Sequence, residues 1–269
     1  MPDTFFNREV RADGGEWFSP TDHARGPWDP DACHGGPPTG LLVRALEHAV
    51  PGMRLARISV DLARPIPMAG FTIVSEVVRA GRATANTAAS LVDADGKVRA
   101  TATGMHLAPA GEPMFEGSID NSGAVTPRLA DSTPGEFPIS RVAHDQPGFR
   151  GAVEIRYPPG EDNTPGATTV WMRALPLLPD EETTPFQRIS PLADCGNAFA
   201  RNAEPTQVQF VNSDLVIALH REPVGEWLGS SATAVWQPTG IGLADAQLFD
   251  DEGPVGRALQ TLLLRRAPA

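Results

Sequence analysis

The sequence predicts an α+β protein of two similar units in tandem, each a long helix wrapped by an antiparallel β-sheet. Three observations carry this. Each half holds one segment of helical period followed by a run of strand-like segments. Matching residues of the halves recur at a constant separation of 157, as in Gly96 and Gly253 (253 − 96). And 27 prolines with 26 glycines divide the chain into short elements joined by turns.

In the first half, HGGPPTGLLVRALEHAV gives a glycine-rich lead into a helix over Thr39–Val50, with Leu41, Leu42, Ala45, Leu46 and Ala49 on one face. Strands follow in LARISVDLARPI, FTIVSEVVRAG, TANTAASLVDADG and KVRATATGMHLAP, and DADG is a hairpin turn. In the second half, GAVEIRYPP and ATTVWMRALPLL are strand-like and ISPLADCGNAFARNA takes the helix position. The strands TQVQFVNSDLVIALHREP, WLGSSATAVWQP, GLADAQLFDDEG and PVGRALQTLLLRR then repeat the order, with DDEG where DADG stood. Arg44 and Arg201, Glu47 and Glu204, Arg64 and Arg221, and Asp93 and Asp250 keep the same separation of 157. A period this long means a duplicated domain and not a solenoid. Two such units side by side share one longer sheet, the shape of a double hotdog. The expected division is an N-terminal unit over 1–108, a Pro/Gly-rich connection crossing the surface over 109–148, and a C-terminal unit over 149–269.

Composition narrows the function. At 41% hydrophobic the chain can bury a substantial core, and a net charge of −11 argues against a nucleic-acid partner. No run approaches the ~18 apolar residues of a membrane span, and the start lacks the apolar region of a secretory signal. Cys33 and Cys195 are too few for a disulfide framework and fit a reducing compartment, so a soluble cytoplasmic protein is expected. No H-E-x-x-H spacing, G-x-S-x-G elbow, P-loop or Rossmann fingerprint occurs, so neither a metal nor a cofactor is expected.

The segments HGGPPTGLLVRALEHA, ISVDLARPIP, GKVRATATGMHL, PLADCGNAFA, VNSDLVIALHREPVGEWL and GPVGRALQTLLLR together resemble the TesB-type acyl-CoA thioesterases, the acyl-CoA thioesterase II family of double hotdogs. The resemblance runs from Trp28 to Arg265. It implies a water held and activated by an Asp on the helix, a Thr, Ser or Asn on the next strand and a Gln on the last strand. These roles fall on Asp194, Asn212 and Gln260. Asn212 replaces the threonine of the founding enzyme type, and LVIALH replaces an aromatic-rich segment. The repeat mates of Asp194 and Gln260 are Pro37 and Thr103 (194 − 37 and 260 − 103), so one site per chain is expected, in the second half.

Each residue also has a plainer role. Asp194 reads equally as a carboxylate at a helix N-terminus, stabilised by the dipole. Asn212 could bond only to local backbone, and Gln260 stands among leucines. Backbone N–H groups at His34, Gly35 and Gly36 can polarise a carbonyl oxygen, or the glycines only make a tight turn. The resemblance implies an acyl-CoA substrate, with Arg25, Arg44, Arg79 and Arg82 as candidates for its phosphates, and a homodimer or higher homo-oligomer. The alternative is a non-catalytic acyl-CoA or acyl-carrier binding protein on the same fold. A hydratase or dehydratase would need an Asp and a His acting together, and neither stretch leading into a helix contains such a pair.

Overall fold

The computed structural model describes residues 3–120, 123, 125–139 and 146–267. The first half runs β1 (Phe6–Val10), β2 (Glu16–Pro20), α1 (Gly36–Ala49), β3 (Arg54–Asp61), β4 (Phe71–Ala80), β5 (Thr84–Asp93) and β6 (Val98–Leu107). The second runs β7 (Thr133–Gly135), β8 (Val153–Tyr157), β9 (Thr168–Ala174), α2 (Pro185–Ala193), α3 (Gly196–Phe199), β10 (Val208–Asn212), β11 (Asp214–Leu219), β12 (Leu228–Trp236), β13 (Ile241–Asp250) and β14 (Gly253–Arg266).

The strands make one antiparallel sheet in the order β1-β2-β4-β5-β6-β3-β11-β14-β13-β12-β9-β8-β7, with β10 paired to β14. Its centre is the β3–β11 pair. Outward from there the order repeats: β6 and β14, β5 and β13, β4 and β12, β2 and β9, β1 and β8. β5 and β13 start and end 157 apart (241 − 84, 250 − 93). At the joint, Ser59 pairs with Val216, which is its own mate at that separation (216 − 59), so a local twofold passes through this pair. β5 shows why the strands fold as they do: buried and half-buried residues alternate along its ten positions, the mark of a sheet with one face on the core.

The helices depart from the expectation. The first begins at Gly36, earlier than Thr39, because Pro37 and Pro38 suit a first turn whose N–H groups lack intrahelical partners. The expected second helix over 189–203 is instead α2 ending at Ala193 and the short α3. Pro191 lacks an N–H, and Asp194 caps the end of α2. The helix starts lie 149 apart (185 − 36) against 157 for the strands, so the second half carries eight extra residues between helix and sheet. Asp194–Pro37, Arg201–Arg44 and Glu204–Glu47 are therefore not equivalent positions. α1 and α2 pack closely, and Gly36 is required there because a Cβ would overlap the backbone of Pro191. The connection is not purely superficial. β7 pairs with β8, and Phe137 and Ile139 are buried in the core, while residues 121, 122, 124 and 140–145 of it lie outside the described residues. The β1–β2 hairpin was not foreseen; Phe5, Phe6 and Phe18 anchor it in the core.

Candidate active site

Asp194 stands between α2 and α3, only 3% exposed. It is at a helix C-terminus and not the N-terminus, so α2 offers its carboxylate no dipole stabilisation. Its Oδ1 accepts from Asn212 Nδ2 at 2.8 Å and from Gln260 Nε2 at 3.0 Å. Burial pushes its pKa up to about 7, against the opposing pull of Asn212, Gln260 and the Gly36 N–H.

Gln260 is 2% exposed on β14, a position that tolerates an amide only because each polar atom is met. Its Nε2 donates both to the Asp194 carbonyl, at 2.9 Å, and to the carboxylate, and its Oε1 accepts from the Asn197 N–H at 2.9 Å. With both protons engaged it orients Asp194 and has none left for a water. Asn212 ends β10 just before the bend into β11, and its Nδ2 also donates to the Asp214 carbonyl at 3.0 Å. Its Oδ1 accepts from Asn197 Nδ2 at 3.3 Å, leaving one lone pair open. Asn197, at the start of α3, was missed in the sequence reading. No spacing marks it, because α2 ends at Ala193 and α3 begins at Gly196, so Asp194 and Asn197 do not share a helix.

From the other half comes His34. Its Nδ1 lies 3.2 Å from Asp194 Oδ2 and 3.1 Å from the Gly36 N. The ring stacks on Phe149 at 4.0 Å between centroids, and burial lowers its pKa to about 3, so the imidazole is neutral. The contact is then a hydrogen bond and not an ion pair. Nδ1 either donates to the carboxylate, or accepts from Gly36 while the carboxyl holds the proton. The sequence reading found no Asp–His pair because it searched each helix lead separately, whereas this pair joins the start of α1 to the end of α2. Gly35 is close by, where a Cβ would meet Asp194 Oδ2 at 3.0 Å. Of the N–H groups leading into α1, that of His34 donates to the Ala24 carbonyl, that of Gly36 is turned to His34 Nδ1 and Asp194, Pro37 and Pro38 have none and Thr39 donates to the Gly35 carbonyl, which leaves that of Gly35.

Asp194, Asn212, His34 and Gly35 face a cavity of about 450 Å³. Trp28, Ile66, Phe137 and Phe210 supply apolar wall, and Arg64 and Arg265 also line it. Arg44 is withdrawn from any ligand, being 5% exposed and tied to Glu16 and Glu181. Arg25 lines a smaller neighbouring recess, Arg79 bonds Thr84 within the β4–β5 hairpin, and Arg82 is exposed on the same hairpin. No helix among the described residues is long and apolar enough to cross a membrane.

Comparison with known proteins gives the family. The acyl-CoA thioesterase N-terminal domain profile matches residues 24–106 and the C-terminal domain profile residues 127–264. Comparison with curated proteins finds no match. Among solved structures, the chain is similar to a hot-dog-fold protein of unknown function from Alicyclobacillus acidocaldarius (TM-score 0.73, 17% identity, 97% of each chain covered). It is also similar to the acyl-CoA thioesterase II TesB2 of Mycobacterium marinum (TM-score 0.67, 17% identity, 97% of this chain and 96% of that one). The dehydratase domain of PpsC from Mycobacterium tuberculosis, solved with C12:1-CoA, gives a TM-score of 0.50 at 13% identity over 98% and 100% of the two chains. A hotdog-type antiparallel sheet, matched in both halves by these profiles, places the chain in the acyl-CoA thioesterase family, of TesB type, as a thioester hydrolase.

Proposed function

We propose that the protein hydrolyses an acyl-CoA thioester to the free acid and CoA at the Asp194 cavity. One observation carries this: a buried carboxyl with a pKa near neutrality, clamped by Asn212 and Gln260, opens on an apolar-walled cavity. Asp194 takes a proton from water as the water oxygen bonds to the thioester carbon. The C–S bond then breaks and the thiolate recovers the proton. Asn212 Oδ1 and Asn197 hold the water, Gln260 holds Asp194, and the N–H of Gly35, which faces the cavity, is the oxyanion contact, that of Gly36 being engaged by His34 and Asp194. Arg64 and Arg265 meet the CoA phosphates. The chain is read as a double hotdog dividing at 1–108, 109–148 and 149–269, and light scattering on the pure protein should give at least a homodimer.

Thiol release across short, medium, long and aromatic acyl-CoAs tests the reading. Asp194→Ala should lower kcat/KM by ~10²–10⁴ on whichever substrate is turned over. Full activity in that variant would end the assignment. Binding without turnover across the panel would instead favour the acyl-CoA binding protein.

A second reading gains from the His34–Asp194 contact, which supplies the acid–base pair a hydratase or dehydratase needs. Enoyl product in place of free thiol would support it.

A further inference from the structure

At the opposite end of the α1–α2 pair lies a second cavity, of about 220 Å³, whose walls repeat those of the first. Met53, Leu55 and Leu219 line it where Phe210, Asn212 and Leu62 line the Asp194 cavity, each pair 157 apart (210 − 53, 212 − 55, 219 − 62). Arg54 and Glu222 answer Val211 and Pro65 at the same separation. From the helices, Thr184 and His48 answer Gly35 and Asn197 at the helix separation of 149 (184 − 35, 197 − 48). The second cavity is the mate of the first under the internal repeat, and its assignment rests on reading the chain as a duplicated unit.

The chemistry of the mate has diverged. Its acid is Glu47, near the end of α1 and facing the first turn of α2, much as Asp194 ends α2 and faces the first turn of α1. Glu47 Oε2 accepts from Gln187 Nε2 at 2.7 Å and Thr184 Oγ1 at 2.9 Å, and burial raises its pKa. Leu55 and Thr103 stand where, in the other half, Asn212 faces the first cavity and Gln260 holds Asp194. The seat for a thioester carbonyl is closed as well. α1 begins at Gly35 with no side chain, whereas the Thr184 hydroxyl covers the start of α2 and accepts the Gln187 N–H at 3.2 Å. At the position of Val211 the mate carries a cation, Arg54, with Glu222 in the same lining and acting on it. Arg54 donates from Nη1 to the His220 carbonyl at 3.2 Å, and its buried Nη2 has no acceptor among the described residues. A guanidinium beside the apolar side chains of Met53, Leu55, Phe186 and Leu219 suits a carboxylate carrying a short alkyl chain.

We propose that this second cavity binds a short-chain carboxylate without hydrolysing anything, with Arg54 holding the head group and Met53, Leu55 and Leu219 the chain. That is the chemical class which thioester hydrolysis releases, so the site would sense product. The test is calorimetric titration of the full chain with butyrate and hexanoate. Wild type should bind one carboxylate per chain. Arg54→Met, which removes the cation, and Met53→Trp, which fills the space, should each weaken binding at least tenfold while leaving kcat/KM within twofold. Val211→Trp, which crowds the Asp194 cavity instead, should leave carboxylate binding intact. No saturable binding, equal binding in Arg54→Met and Met53→Trp, or loss in Val211→Trp alone would overturn the proposal. Displacement of hexanoate from Val211→Trp by S-hexyl-CoA would make the thioester the occupant and overturn the carboxylate assignment. The binding readouts do not depend on thioester turnover, so failure of the hydrolase reading and failure of this one are distinguishable.

Discussion

At Asp194, burial and hydrogen bonding pull in opposite directions, and burial prevails. Because the folded pKa is about 7 and the ordinary value 3.8, the folded state holds the proton more firmly. That carboxyl therefore costs stability as pH rises through the interval between the two values, by at most roughly 4 kcal/mol, and nothing further above it. Replacing it by the isosteric amide in Asp194→Asn removes the titration. The difference in urea midpoint between variant and wild type should shift toward the variant between pH 4 and pH 7, then stay level. An unchanging difference would mean that Asp194 is not a buried titrating acid. Hydrolysis should show the complementary dependence, kcat/KM rising with pH through about 7 as the base ionises, with His34 staying neutral throughout. Asp194, Asn212 and Gln260 were legible as candidates because the resemblance pairs residue types with particular elements. Asn197 was not, since a lone asparagine after a glycine carries no periodicity.

The helix pair is the element that builds both cavities. α1 can approach α2 only through glycine. Gly36 faces the Pro191 backbone, and a Cβ at Gly40 would lie 3.4 Å from the Gln187 carbonyl oxygen of α2. Gly36→Ala should destabilise the protein by ~1–3 kcal/mol through overpacking and also separate His34 from Asp194. Thermal unfolding together with kcat/KM should register both, whereas Gly52→Ala, in a turn whose Cβ would meet nothing, should affect stability alone. Strands β3 to β6, β8, β9 and β12 to β14 were read from alternation and hairpin turns, while β10 and β11 were read as one strand and β1, β2 and β7 were not read. The second helix was misplaced because a constant separation of 157 was carried from strands to helices. Eight extra residues before β11 break that constancy, and only the packed positions of α2 and α3 reveal it.

On the scale of the whole molecule, the β3–β11 pair and the α1–α2 contact join the halves, and so does a partly buried charge cluster. Arg44 of α1 bonds Glu16 of β2 and Glu181 just before α2, and Arg8 of β1 meets the same two glutamates. Arg44→Met should destabilise by about 3 kcal/mol by leaving both glutamates facing one another, a loss that chemical denaturation would measure. A stability equal to wild type would show that Arg8 alone neutralises them. The sequence by itself determined the repeated run of strand-like segments, because periodicity and turn chemistry are local properties, and it offered Asp194, Asn212 and Gln260 as candidates only through the family resemblance. Tertiary structure alone decided that Asp194 sits at a helix end, that His34 of the other half lies 3.2 Å from its carboxylate, that Arg44 is locked away from any ligand, and that a second cavity mirrors the first. Burial and proximity across 160 residues (194 − 34) arise only when the chain closes on itself, and it is burial that moves a carboxyl from 3.8 to about 7.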